Sequence, residues 1–165
     1  MAQKAPDKEL MDSGFTNWTA DKLPDLSGKL FVITGGNSGI GFEAAKLLGN
    51  AGGDIVLACR SVAKAEDAAS VLRAQVKGQV DLVQLDLSDL SSVRKAADEI
   101  RGKYNKIDGL INNAGIMQTP DLQTADGFEM QFGTNHLGHF LLSGLLIDVV
   151  DAAAGRVVTL SSIAH

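Results

Sequence analysis

The sequence has little of what several classes of protein need. Its single cysteine, Cys59, excludes an internal disulfide, and no Cys/His spacing predicts a metal site. No apolar run is long enough to cross a bilayer, and the longest, residues 140–150, is interrupted by Ser143, Gly144 and Asp148. The N-terminus lacks the apolar segment of a signal peptide. We therefore expect a cytoplasmic protein without a membrane span.

Basic charge is also scarce. Lysine and arginine total 15 against 20 acidic residues, for a net charge of −5. This balance, with no basic run, disfavours a nucleic-acid binder. The 165 residues, 45% of them hydrophobic, suffice for one domain with a sizeable core. We expect residues 1–29 to form a polar surface arm and residues 30–165 to form the domain.

Glycine is abundant, with 18 residues, and the most informative stretch is LFVITGGNSGIG at residues 30–41. An apolar strand leads into a glycine-rich turn and then a helix. Gly35 permits a tight exit from the strand, Gly39 lets the backbone approach a phosphate, and Gly41 lets the helix lie close to the strand. Because a helix N-terminus attracts anions, the pattern predicts a dinucleotide site, although a plain strand-turn-helix crossing has similar glycines.

Strand and helix patterns alternate along the rest of the chain. The alternation predicts an α/β fold, a doubly wound parallel sheet (Rossmann fold) with strand order 3-2-1-4-5 and ligands at the carboxyl ends of the strands. Helices are predicted at about 41–50, 62–76, after Ser88 or Asp89, and at about 127–150 with a bend near Gly133 or Gly138. Strands are predicted at 30–33, 55–59, 80–85, 107–111 and 156–160.

The end of the second predicted strand reads Cys59-Arg60-Ser61 and offers no acid. An acid there binds the ribose hydroxyls in NAD-binding folds, whereas an arginine fork suits a 2′-phosphate. The residues favour NADP(H), with NAD(H) as the alternative, and disfavour a Rossmann-like methyltransferase. The simpler interpretation of Arg60 is a solvated loop residue.

Several motifs occur together in order. T-G-x-x-x-G-x-G at residues 34–41 is followed by Asn-Asn-Ala-Gly at 112–115 and by N-x-x-G-x-F starting at Asn135. The set resembles the short-chain dehydrogenase/reductase family, and W-T-x-x-x-L-P-D-L-S-G-K before the glycine turn is similar to its retinol-dehydrogenase-like and related bacterial branch. The resemblance runs from about Trp18 to His165.

The resemblance implies roles for single residues. Asn135, a polar residue on a helix expected to be buried, would bend that helix and hold a water in a proton relay, and Ser162 would bind the substrate carbonyl. His136 and His139 are interpreted as packing or surface residues. Cofactor contacts are implied for Thr34, Gly35, Asn37, Ser38, Gly39, Ile40, Gly41, Arg60, Ser61, Asp86, Leu87, Asn113, Ala114 and Gly115.

The implied activity is NAD(P)-dependent interconversion of a carbonyl and an alcohol by hydride transfer. The family's Tyr-x-x-x-Lys pair is expected a dozen or more residues after Ser162, and Tyr104 lacks a lysine at that spacing. We therefore expect further strands beyond His165, no turnover by these residues alone, and an exposed apolar edge at the fifth strand. The alternative is a non-catalytic nucleotide-binding or interaction module, complete as written. The substrate stays open, and a homo-oligomer through the Asn135 helix is what the family implies.

Overall fold

A five-stranded parallel sheet runs through the chain in the order β3-β2-β1-β4-β5. The computed structural model describes residues 17–162. Its strands are β1 (Leu30–Thr34), β2 (Asp54–Cys59), β3 (Val80–Gln84), β4 (Gly109–Asn112) and β5 (Arg156–Thr159). The predicted fold and strand order are confirmed, and the order reverses between β1 and β4.

Helices connect the strands. They are α1 (Gly39–Asn50), α2 (Val62–Arg73), α3 (Leu90–Lys103), α4 (Met130–Phe132) and α5 (His139–Leu146), with a π-helical segment, Gly133–Gly138, between the last two. None of the helices within residues 17–162 combines the length and apolar character that a bilayer crossing requires. Of the predicted arm, residues 1–16 lie outside the described residues, and Trp18 is half exposed.

Two apolar layers cover the sheet because successive strand residues face opposite sides. In β1, Val32 packs with the residues of α3 and α5, whereas Ile33 packs with those of α1 and α2. Both side chains are fully buried. The sheet is therefore doubly wound, and its carboxyl edge is left to the loops that follow the strands.

The long helix predicted at 127–150 is wrong at both ends. The helical segment begins at Met130, where the carboxylate of Glu129 accepts hydrogen bonds from the backbone N–H groups of Gln131 at 2.8 Å and Phe132 at 2.6 Å. A side-chain acceptor at this place satisfies N–H groups that have no partner within the helix. The expected bend is a six-residue π-helical segment.

The same helix ends at Leu146, before the apolar residues that extend its pattern. Val150 forms a parallel bridge with Ile107 at the start of the β4 region, so an apolar residue that fits the helical stripe belongs to the sheet instead. The second predicted helix is also shorter than expected: it ends at Arg73 in a turn where the N–H groups of Gln75 and Val76 both donate to the carbonyl of Leu72.

The edge strand β5 is exposed along its whole length. Val157 and Val158 are 40% and 46% exposed, as the sequence predicted for this strand. Within residues 17–162, β5 pairs with β4 alone.

Candidate functional site

A cavity of about 400 Å³ opens at the carboxyl ends of β1, β2, β3 and β4. Most of the residues that the sequence predicted for a cofactor come together on its walls. They are Gly35, Asn37, Ser38, Ile40, Arg60, Asp86, Leu87, Asn113, Ala114 and Gly115. The reversal of strand order between β1 and β4 creates this crevice, which is the usual place for a ligand in an open α/β sheet.

The glycine turn fits a pyrophosphate in this cavity. Gly35 and Gly39 have φ values of +64° and +56°, a region that favours glycine. A Cβ at Gly39 would meet nothing within 4 Å, so the backbone there is open to a ligand. Ser38 makes no side-chain cap to α1, and the first turn of α1 holds no acid. The N–H groups in the first turn of α1 are therefore available to an anion.

Gly41 has a different function. A Cβ at Gly41 would collide with the amide nitrogen of Asn113 and lie 2.9 Å from the carbonyl oxygen of Gly35. The glycine thus allows α1 to approach the end of β4. Neither Gly39 nor Gly41 lines the cavity with its own surface, and both shape its rim.

Thr34 lies beneath the cavity, where it is fully buried. Its Oγ1 accepts hydrogen bonds from the N–H groups of Asn113 and Ala114, both at 2.9 Å. The amide Nδ2 of Asn113 donates to the carbonyl of Thr34 at 2.9 Å. These bonds join the ends of β1 and β4, so Thr34 holds together the two loops that follow these strands.

Arg60 and Ser61 both follow β2, but their side chains make different contacts. Arg60 lines the cavity, is exposed, and makes no ion pair with any residue from 17 to 162. Ser61 caps α2 instead, where its Oγ accepts from the N–H of Lys64 at 3.4 Å. The guanidinium is thus available to a ligand, and the Ser61 hydroxyl points to its own helix.

Asp86 and Leu87 form the wall after β3. The carboxylate of Asp86 accepts from the N–H of Ser88 at 2.9 Å and from its hydroxyl at 2.6 Å. Leu87 is buried, and its carbonyl oxygen would lie 2.5 Å from a Cβ at Gly138. The π-helical segment therefore packs directly on this wall.

The side chain of Asn135 is exposed, so the expectation of a buried helix face at this residue is wrong. Its amide makes two hydrogen bonds to one residue of the loop after β4. Oδ1 accepts from the N–H of Ile116, and Nδ2 donates to the carbonyl of Ile116, both at 2.8 Å. Asn135 clamps this loop rather than satisfying a buried polar group.

The imidazole of His139 is the main feature that the sequence analysis missed. It is 4% exposed, with Nε2 at 2.8 Å from Thr34 Oγ1 and Nδ1 at 2.8 Å from the carbonyl oxygen of Asn135. Burial holds the pKa of His139 below its usual value of 6.5. Its position one helical turn after Asn135 is the sequence signal that could have identified it.

His136, unlike His139, is exposed. Its ring stacks between Phe132 at 5.2 Å and Phe140 at 6.3 Å between centroids, and all three side chains are exposed. The two histidines do not share a ligand site. Within residues 17–162, no group of three or more His, Cys, Asp or Glu residues could hold a metal ion.

Ser162 lies beyond the end of β5 and is exposed; Leu160, two residues before it, lines the cavity. Tyr104, the one tyrosine of the sequence, lies at the opposite end of the sheet, where its hydroxyl donates to Asp81. Burial, followed by the contact with Asp81, raises the pKa of Tyr104. Tyr104 therefore cannot exchange a proton at the cavity.

Other cavity residues were not predicted because they are ordinary strand, loop or helix residues that belong to no cofactor motif. They are Ala58, Cys59, Leu85, Ile116, Thr134 and Leu160. Cys59 is a buried free thiol, and burial raises its pKa, so the thiolate that a nucleophile requires is disfavoured.

The sequence and the fold are similar to those of known proteins. A family model described as short chain dehydrogenase matches residues 29–165. The chain is 51% identical over 142 residues to retinol dehydrogenase 12 of Mus musculus, covering 85% of this chain and 45% of that protein. The chain thus spans less than half the length of this relative.

Two solved structures have the same fold. A protein of unassigned function from Mycobacterium paratuberculosis is 48% identical with a TM-score of 0.79, over 90% of this chain and 52% of that one. L-Sorbose reductase from Gluconobacter frateurii, in complex with NADPH and L-sorbose, is 28% identical with a TM-score of 0.71, over 84% of this chain and 55% of that one.

Proposed function

This chain belongs to the short-chain dehydrogenase family, and on that premise we propose that the whole protein is an NAD(P)-dependent oxidoreductase that interconverts a carbonyl and an alcohol. The observation that carries the proposal is the cavity at the reversal of strand order, with a glycine turn and an uncapped helix N-terminus on one wall. When bound, the nicotinamide would supply or accept the hydride. The residues of this chain bind, orient and enclose it.

NADP(H) is the favoured cofactor in this proposal. Arg60 follows β2 on the cavity wall and pairs with no acid among residues 17–162. Its planar guanidinium can donate two parallel hydrogen bonds to a 2′-phosphate. No carboxylate stands at the end of β2 to accept from ribose hydroxyls. The NADPH complex of the related L-sorbose reductase is consistent with this choice.

The reacting end of the site is proposed near Asn135 and Ser162. Asn135 would act by holding the loop that contains Ile116, and the Ser162 hydroxyl would donate to the substrate oxygen, where negative charge develops during reduction. Relatives named retinol dehydrogenase make retinol the first alcohol to assay.

The cofactor proposal is tested by measuring dissociation constants for NADPH and NADH on the intact protein and on Arg60→Ala. Loss of a charge-assisted contact is expected to weaken NADPH binding by roughly 10- to 100-fold, with NADH binding unchanged because NADH lacks the 2′-phosphate. Arg73→Ala is the matched control, since Arg73 pairs with Glu66 on α2 away from the cavity. Equal NADPH affinity in wild type and Arg60→Ala would refute the proposed preference.

A further inference from the structure

His139 is buried, yet both of its ring nitrogens have hydrogen-bond partners. Nε2 lies 2.8 Å from Thr34 Oγ1, beneath the glycine turn. Nδ1 lies 2.8 Å from the carbonyl oxygen of Asn135. If His139 only filled space, an apolar side chain of similar size would serve equally well. The two hydrogen bonds therefore indicate a further role for the ring.

The partners fix which nitrogen of the ring carries the proton. A carbonyl oxygen can only accept, so Nδ1 must donate to Asn135. In a neutral imidazole Nε2 then accepts, and the hydroxyl of Thr34 must donate to it. The lone pairs of Thr34 Oγ1 already accept from the N–H groups of Asn113 and Ala114. The other acceptor within reach of its proton, the carbonyl oxygen of Ile111, lies at 3.5 Å, so the contact with Nε2 at 2.8 Å is the stronger bond.

The Asn135 carbonyl is available to the ring because of the π-helical segment. In a regular α-helix this carbonyl pairs with the N–H group four residues later, which belongs to His139. Here the backbone N–H of His139 donates to the carbonyl of His136. The side chain of His139 thus bonds the carbonyl that its own backbone would otherwise bond.

These contacts close a ring of hydrogen bonds around Gly115. Thr34 binds the N–H of Ala114 at 2.9 Å, the amide of Asn135 binds both backbone groups of Ile116, and His139 joins Thr34 to Asn135. The segment 114–116 of the loop after β4 is therefore held at both of its ends, and its three residues line the cavity.

We propose that His139 is a positioning residue that couples the turn after β1 to the π-helical segment through this ring. The inference rests on the proposed function, because the ring fixes where residues 114–116, on the wall of the proposed cofactor site, lie relative to Asn135. Each ring nitrogen serves one side of the site. Nε2 holds Thr34 and hence the glycine turn after β1, whereas Nδ1 holds Asn135 and hence the proposed reacting end of the site.

Two conservative variants separate the two sides. In His139→Asn the side-chain amide nitrogen takes the place of Nδ1 and keeps the donor to Asn135. In His139→Gln the longer side chain brings an amide oxygen to the place of Nε2 and keeps the acceptor for Thr34. His139→Phe keeps the size and removes both bonds. His136→Gln is the matched control, since His136 is exposed and touches neither partner.

The readouts are the NADPH dissociation constant and the kcat for carbonyl reduction, each measured on the folded intact protein. We expect His139→Asn to raise the NADPH dissociation constant about threefold to tenfold with kcat retained. We expect His139→Gln to bind NADPH as wild type does and to lose kcat by a similar factor. His139→Phe should lose kcat by up to about 100-fold, the scale of a misplacement of about 1 Å.

A residue that served only stability would reduce the folded fraction and leave both constants of the folded molecules unchanged. Equal losses in the Asn and Gln variants, or wild-type constants in both, would overturn the proposal.

A spectroscopic test is independent of turnover and of any variant. Nitrogen-15 NMR of the imidazole of His139 should show a neutral ring with the proton on Nδ1; a proton on Nε2, or on both nitrogens near pH 7, would overturn the proposal. If wild-type protein fails to bind NADPH but shows the Nδ1–H ring, the proposed function fails and the hydrogen-bond ring stands.

Discussion

The carboxyl end of the sheet is joined by neutral hydrogen bonds, whereas the amino end is joined by charged groups. At the carboxyl end, Thr34, Asn113 and His139 link β1, β4 and the π-helical segment. At the amino end, the carboxylate of Asp108 accepts from the N–H of Leu30 at 3.0 Å and pairs with Lys106 at 2.9 Å. One sheet therefore uses two different chemistries along its two edges.

The difference follows from what each edge must do. Asp86 places one carboxylate on the cavity wall, and that carboxylate accepts from the N–H and the hydroxyl of Ser88. A further carboxylate would weaken a cavity that accepts an anion, and a ligand arginine must not pair with a protein acid beforehand. Arg60 meets this condition, because it lines the cavity and pairs with no acid among residues 17–162. The amino edge binds no ligand in this proposal, so ion pairs such as Lys106–Asp151 carry no functional cost there. Stability and binding should therefore respond separately to changes at the two edges.

The largest expected effect is on stability, from Gly78→Ala at the amino edge. A Cβ at Gly78 would collide with the carbonyl oxygen of Gly53 and lie 2.6 Å from its carbon. Because both are backbone atoms, we expect the free energy of unfolding to fall by about 2–3 kcal/mol. Urea unfolding of the intact protein measures this change.

The control for Gly78→Ala is Gly102→Ala in α3, where a Cβ would meet nothing within 4 Å. We expect that variant to gain up to about 1 kcal/mol in unfolding free energy from helix propensity. NADPH affinity should be unchanged in both. A loss of affinity in folded Gly78→Ala would show that the two edges are not independent.

A smaller effect, on binding, is expected from Gly41→Ala at the carboxyl edge. The new methyl group would push Asn113 from its place beside α1 and shift the rim of the cavity. We expect the NADPH dissociation constant to rise about tenfold. The unfolding free energy should also fall, by about 1–2 kcal/mol, because the displaced amide of Asn113 loses its bond to the carbonyl of Thr34. Gly144→Ala in α5 is the control, since its Cβ has no neighbours within 4 Å. Unaltered NADPH affinity would mean that the rim tolerates a shift.

The smallest effect is a pH dependence that differs between the edges. Burial, assisted by repulsion from His136, lowers the pKa of His139 from 6.5, so its contribution to stability is full above about pH 6.5 and is lost as the pH falls through its folded pKa. The pKa of Asp151 is lowered from 3.8 by the N–H groups of Ala154 and Ala153 and by Lys106. Its contribution is full above about pH 3.8 and is lost below that value.

Urea unfolding of the intact protein from about pH 8 to about pH 3 should therefore reveal two windows of declining stability. His139→Asn should remove the upper window. Asp151→Asn should reduce the lower one without abolishing it, because the pKa values of Asp25, Asp89, Glu129 and Asp148 are also lowered. The assignment of the two edges would be wrong if His139→Asn also reduced the loss of stability at low pH, or if Asp151→Asn reduced the loss of stability in the upper window.

Much of the fold could be predicted from the sequence because its strands are short apolar runs between clear helix and turn signals. Buried strands such as Ile55–Cys59 carry the pattern locally, and alternation with helices fixes the parallel order. Most of the predicted cofactor residues reach one cavity because strand ends of a parallel sheet share an edge. The assigned roles of these residues stay predictions.

The helix near Asn135 and its bend were predicted, but its two ends and its π-helical form could not be, because they depend on tertiary contacts. Periodicity at 3.6 residues does not register a π-helical segment, and the apolar Val150 fits a helical stripe as well as the bridge to Ile107. The function of His139 depends on Thr34, which lies 105 residues away along the chain. No local pattern carries that pairing.

The pairing of β1 with β4 also has a consequence for how the molecule assembles. Leu30 donates its N–H to Asp108 across 78 residues of chain, and this closure costs entropy before any contact is gained. At a translation rate of about 5–20 residues per second, β4 is made roughly 4–16 s after β1. During that interval the glycine turn exists without Asn113 and Ala114, so the proposed cofactor pocket is completed late and a ligand cannot guide the early steps of folding.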